Sequence, residues 1–141
     1  MTDSSTFFID RCLGSKRIAQ VLRDAGLTVA THEEHFEPDA LDVDWLPEVG
    51  DRGWVVLTKD ANISKNQLER MAVTRSQVRM FILASQNLSG AEMAEIFQRV
   101  ALTLQAFSRK HPEPFIAKVY KDGRVEMWRD RDSLLTEFGA D

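Results

Sequence analysis

Trp54-Val55-Val56-Leu57-Thr58-Lys59-Asp60 decides how this sequence folds. From Gly53 to Thr58 the run is apolar without alternation, the pattern of a strand covered on both faces of a parallel sheet. It ends in an aspartate. A second short apolar run, Phe7-Phe8-Ile9-Asp10, ends the same way. Parallel strands deliver their terminal side chains to one shared edge, so Asp10 and Asp60 are expected to meet there.

Working outward from these two strands, the chain switches repeatedly between strand and helix periods. Lys16 to Ala25 places Ile18, Ala19, Val21 and Leu22 at helical spacing before Gly26, and Leu27 to Thr31 reads as a second strand. His32 to Leu41 is polar, contains Pro38 and reads as a surface loop. A brief helix follows in Asp42-Val43-Asp44-Trp45-Leu46-Pro47-Glu48-Val49-Gly50: an aspartate caps it, Pro47 falls in the first turn if it begins near Asp44, and Gly50 and Gly53 close it. Lys65 to Thr74 predicts a helix, and Val78 to Ala84 a strand. Ser89 and Glu92 form a capping-box pattern opening a long helix to about Lys110. Phe115 to Tyr120 and Arg124 to Trp128 flank Asp122-Gly123, a hairpin signal. The expected architecture is α/β: a mostly parallel sheet with helices on both faces and a C-terminal β-hairpin.

The 141 residues suit one domain, 1–141, with a core over about 6–128 and a helical tail at 129–141, and 43% hydrophobic content is enough to bury a core. A single cysteine, Cys12, excludes an internal disulfide and fits a reducing compartment. No run approaches the roughly 18 apolar residues of a spanning helix, and Met1 to Ser5 lacks a basic flank, so a soluble cytoplasmic protein with no membrane partner is expected. The net charge of -4 opposes polyanion binding by overall electrostatics but leaves a local basic face open.

In open α/β sheets ligands gather beyond the carboxyl ends of the strands. Asp10 and Asp60 lie there, and Asp42, read as the N-cap of a helix entered from the same edge, is the natural third member. Asp44 and Glu48, one turn apart, are further candidates but read more readily as solvated charge. Carboxylates without His or Cys suit hard ions, Mg²⁺ or Mn²⁺. Such ions commonly act on phosphates, lowering the pKa of water and stabilising phosphodiester cleavage. Three close carboxylates also repel one another, and a cation relieves that repulsion.

Phe7-Phe8-Ile9-Asp10-Arg11-x-Leu13-Gly14, then Asp42-x-x-Trp45-Leu46-Pro47-Glu48-Val49-Gly50, then Gly53-Trp54-Val55-Val56-Leu57-Thr58-Lys59-Asp60 together resemble the PIN-like nucleases related to VapC-type toxins. The resemblance covers residues 6 to 128 and rests on the order of the motifs and on the Trp-Leu-Pro-Glu-Val-Gly segment. It implies an α/β fold whose acidic cluster binds Mg²⁺ or Mn²⁺, a ribonuclease activity on single-stranded or structured RNA, and a cognate antitoxin as partner. By motif, Asp10, Asp42 and Asp60 become the metal-binding and catalytic residues. Related sequences often carry another acidic residue two positions after the last aspartate; this chain has Asn62, so a fourth ligand is absent or comes from elsewhere. The alternative within the family is a catalytically silent binding or regulatory module. A response-regulator receiver also binds Mg²⁺ through strand-end acids, but Asp10 has no adjacent acidic partner and no strand-end lysine stands out late in the chain.

Other conspicuous residues read as structural. Trp45, Trp54 and Trp128 suit core packing better than base stacking. His32 and His35, with two glutamates between them, have no third His or Cys at suitable spacing and read as residues of an exposed polar loop. Cys12 has no paired histidine and reads as a small buried residue. Arg11, Lys16, Arg17 and Lys59 flank the acidic edge, where a phosphate backbone would need positive charge. Leu134, Leu135 and Phe138 share a helical face in the Asp132 to Phe138 segment, which can cover the core or bind a partner; a homodimer is one partner left open.

Overall fold

The computed structural model describes residues 5–14, 16–61 and 65–139. Its centre is a six-stranded sheet: β1 (Thr6–Ile9), β2 (Thr28–Thr31), β3 (Val55–Thr58), β4 (Arg79–Leu83), β5 (Phe115–Val119) and β6 (Val125–Arg129), in the order β2-β1-β3-β4-β5-β6. All neighbours are parallel except β5 and β6, which form the expected hairpin.

Alternate side chains of each strand enter opposite cores, which is why the strands read as continuous apolar runs. Phe7, Ile9, Val55, Leu57, Phe81 and Leu83 join one core, beneath α1 (Arg17–Asp24) and α5 (Gly90–Lys110). Phe8, Val56, Met80, Ile82 and Ile116 join the other, beneath α3 (Asp42–Asp51), α4 (Gln67–Ser76) and α6 (Arg131–Phe138). Helices start where side chains satisfy their first N–H groups. Ser89 and Glu92 form the predicted capping box of α5, Asn66 accepts from the Leu68 amide of α4 at 2.9 Å, and Asp130 accepts from the Ser133 amide of α6 at 2.9 Å. Leu134 is fully buried, so the tail covers the second core; Arg70 and Glu137 bridge α4 to α6 at 2.8 Å.

Two local expectations need correction. The segment after β2 is not simply a surface loop: His32–His35 form a helical turn, α2, and His32 is 2% exposed within ring-contact distance of Phe8, Phe36 and Trp45. The second core needs a cover over Phe8, and α2 and Phe36 supply it. Helix α3 begins at Asp42 rather than near Asp44, with Leu41 as its N-cap, so Asp42 is the first helical residue and not the cap. Pro47 and Gly50 consequently lie inside the helix. Gly50 is required by packing, because a Cβ there would run into the Ser76 carbonyl of α4.

Candidate metal centre

Strand β1 connects leftward to β2 in the sheet, whereas the chain after β2 returns to β3 on the other side of β1. The crevice between the carboxyl ends of β1 and β3 is therefore the switch point at which open α/β sheets bind ligands. Asp10 leaves β1 there, 7% exposed. Its Oδ2 accepts the Thr58 hydroxyl of β3 at 2.7 Å, and the Asp10 amide donates to the Leu57 carbonyl at 2.9 Å. Thr58 also accepts from the Asp60 amide at 3.1 Å, so one buried hydroxyl orients both strand-end aspartates.

Helices α3 and α4 both start at this edge and present an acid in their first turn, where the partial positive charge of a helix N-terminus favours anions. These are Asp42 and Glu69. One carboxylate oxygen from each of Asp42, Asp60 and Glu69 lies within 4.8 Å of the other two, all three residues being half-buried. Burial, followed by hydrogen bonding to Glu69 and the negative charges of Asp10, Glu69 and Asp60, pushes the Asp42 carboxyl up to about 7. Asp10 thus shares the electrostatics of the cluster without belonging to its closest group.

Of the residues anticipated from sequence, Asp42 and Asp60 come together and Asp10 stands beside them. Asp44 is exposed, and Glu48 turns outward to Arg52 at 2.8 Å. Asn62 lies outside the described residues. Glu69 was not anticipated. Its signal is present in retrospect: it follows the Asn66 cap by three positions, in the first turn of a helix that must start at the acidic edge.

The residues present fit a hard divalent ion. Every donor in the cluster is a carboxylate oxygen, and the buried Glu69 Oε1 has no hydrogen-bond donor. Cys12 stands outside this cluster. The residue is exposed overall, yet its sulfur is enclosed by Thr58 Oγ1 at 3.3 Å, Asp10 Oδ2 at 3.5 Å and the Lys59 amide at 3.4 Å. Burial and then the Asp10 charge push the thiol up to about 11. Trp45, 1% exposed, belongs to the core, while Trp54 and Trp128 are half-buried beneath the guanidinium groups of Arg52 and Arg129 at 4.8 and 4.0 Å.

Residues 5–85, which carry β1 to β4 and all four acids, match the family model described as "PIN like domain". The chain belongs to the PIN-like domain family. Within it, this PIN-like chain is 33% identical over 126 residues to a Mycobacterium tuberculosis protein named "Putative ribonuclease VapC45", an alignment covering 85% of this chain and 89% of the relative. No solved structure gives a significant match. No helix among the described residues of the PIN-like chain is long and apolar enough to cross a membrane.

Proposed function

We propose that this chain is a divalent-metal-dependent endoribonuclease, working as one PIN-like domain and as the cytoplasmic toxin of a toxin–antitoxin pair. The observation that carries this reading is the convergence of Asp42, Asp60 and Glu69 beside Asp10 at the β1/β3 switch point. A PIN-like relative named as a ribonuclease supports the same chemistry. Asp42, Asp60 and Glu69 would hold Mg²⁺ or Mn²⁺, with Asp10 fixed by Thr58 as the fourth acid at its side. The ion, when bound, supplies positive charge against the phosphodiester and lowers the pKa of water. Asp42 must give up its proton before it can bind a cation, while Arg11 at the edge of the crevice offers charge to the RNA backbone.

A partner surface borders the same mouth. Among the described residues, Leu41, Val43 and Leu68 are three of the four large hydrophobic side chains left exposed, at 63, 46 and 65%. They immediately flank Asp42 and Glu69 in sequence. An antitoxin segment that is apolar with a basic group would complement both the rim and the acids.

The test is cleavage of structured and unstructured RNA with Mn²⁺ by the natural protein and by Asp10→Asn, Asp60→Asn and Glu69→Gln. Loss of cleavage in all three variants is expected; equal cleavage by all four proteins would remove these residues from the mechanism. Mn²⁺ binding without RNA cleavage by the natural protein would favour the silent binding module instead.

A further inference from the structure

We propose that the tip of the β5–β6 hairpin is a second RNA-contact site on the same edge as the acidic crevice, engaging the strand beyond the scissile phosphate. The inference rests on the ribonuclease reading. Because β5 is parallel to β4, and β4 to β3, the carboxyl end of β5 faces the same way as Asp60. The edge between them is tied together: the Gln86 side chain donates to the Lys59 carbonyl at 3.3 Å, and the Ala84 amide to the Val119 carbonyl at 2.8 Å. Two strand spacings of about 4.8 Å separate β3 from β5, so the tip stands roughly 10 Å along the edge, within reach of a few nucleotides of extended RNA.

The tip has the chemistry that single-stranded nucleic acid uses, an aromatic face beside cations. Tyr120, the only tyrosine of the chain, is half-buried at the end of β5, and the Arg124 guanidinium lies 4.4 Å from its ring centre. Asp122 and Glu126 hold Arg124 in place at 3.0 and 2.9 Å, which makes this pair a preformed platform. Lys121 is exposed at the turn, and the Arg99 side chain lies against Gly123. Among the described residues neither Lys121 nor Arg99 forms a salt bridge, and the Glu92 carboxylate accepts from the Ser89 amide. Phosphate contacts from Arg99 and Lys121 and a base laid on the exposed Arg124 guanidinium that Tyr120 backs would lengthen the footprint without touching the acidic cluster.

The experiment compares the natural protein with Lys121→Glu, Arg99→Glu and Tyr120→Leu. Fluorescence anisotropy in EDTA reads binding of a short and a long single-stranded RNA, roughly five and fifteen nucleotides. Each variant should weaken the long RNA by about fivefold or more, leave the short RNA unaffected, retain Mn²⁺ affinity, and raise KM for the long substrate. Unchanged affinity for the long RNA, or equal losses on both, would overturn the site while leaving the nuclease reading intact. Failure of the natural protein to bind the long RNA would overturn the site, while the nuclease reading stands or falls on the cleavage test above. Weakened binding of a protein partner with RNA binding preserved would reassign the tip as a protein interface and likewise overturn the proposal.

Discussion

Thr58 donates its hydroxyl to Asp10 across 2.7 Å and so joins the last residue of β3 to the residue that follows β1. Both groups are buried, Thr58 completely. Thr58→Val keeps the shape but leaves the Asp10 carboxylate short of a donor, at a cost of about 1–3 kcal/mol. Thr58→Ser should retain most of the stability. Urea denaturation of the two variants checks this, and equal stability of both would show that the hydroxyl contributes nothing.

Asp42 makes the ion-free protein pH-sensitive. Its folded-state pKa stands above its ordinary value, at about 7 against 3.8, so folding favours the protonated form. The resulting stabilisation is complete below pH 3.8 and is lost as pH rises through about 7. The ion-free melting temperature should therefore fall between pH 5 and 7.5, and Asp42→Asn should remove that part of the slope. Mn²⁺ binding should tighten over the same interval and release a proton, measurable by calorimetry in buffers of different ionisation enthalpy.

Glu69→Gln should separate metal binding from folding. The substitution removes one like charge from a crowded cluster, so the ion-free protein should be as stable as the natural one or more so. Mn²⁺ affinity should fall by about tenfold or more, a loss at least as great as that from removing a ligand's supporting partner. Glu48→Gln, on the outward face of α3, should change neither quantity, and isothermal titration distinguishes the two variants.

Gly50→Ala tests how closely α3 and α4 approach. Alanine improves helix propensity by about 1 kcal/mol. Here its Cβ would meet the Ser76 carbonyl, a backbone atom that cannot rotate away, and overpacking of that kind costs about 1–3 kcal/mol. The steric effect should win, lowering the melting temperature by a few degrees. A rise would show that the helices separate freely.

Cys12 should react slowly despite its exposure. With the thiol held at about 11 rather than 9.0, the thiolate fraction at pH 8 falls about a hundredfold, offset in part by its greater nucleophilicity, for a net slowing of roughly tenfold. Disulfide-exchange kinetics with an aromatic disulfide, before and after unfolding, measures the difference.

Much of this molecule is written in local sequence. The unbroken apolar runs at Phe7 to Ile9 and Gly53 to Thr58 specify strands covered on both faces, and Ser89 with Glu92 marks the start of α5 within one residue. Asp122-Gly123 likewise marks the hairpin. Position 42 reads as an acid at a helix entrance and lies at one, although Leu41 rather than Asp42 occupies the cap. Family motifs contain Asp10, Asp42 and Asp60, whereas Glu69 sits in a stretch whose only local signal is the start of a helix.

By itself the sequence determined the main strands and long helices, the parallel body of the sheet and the delivery of Asp10 and Asp60 to its carboxyl edge. Those follow from periodicity and from the direction of the strands, which are local properties. Tertiary structure decided that Glu69 faces Asp42, that Glu48 faces away to Arg52, and that His32 is enclosed by Phe8, Phe36 and Trp45. Each of these depends on how one helix is rotated and seated against another, and that is set by packing among residues far apart in the chain.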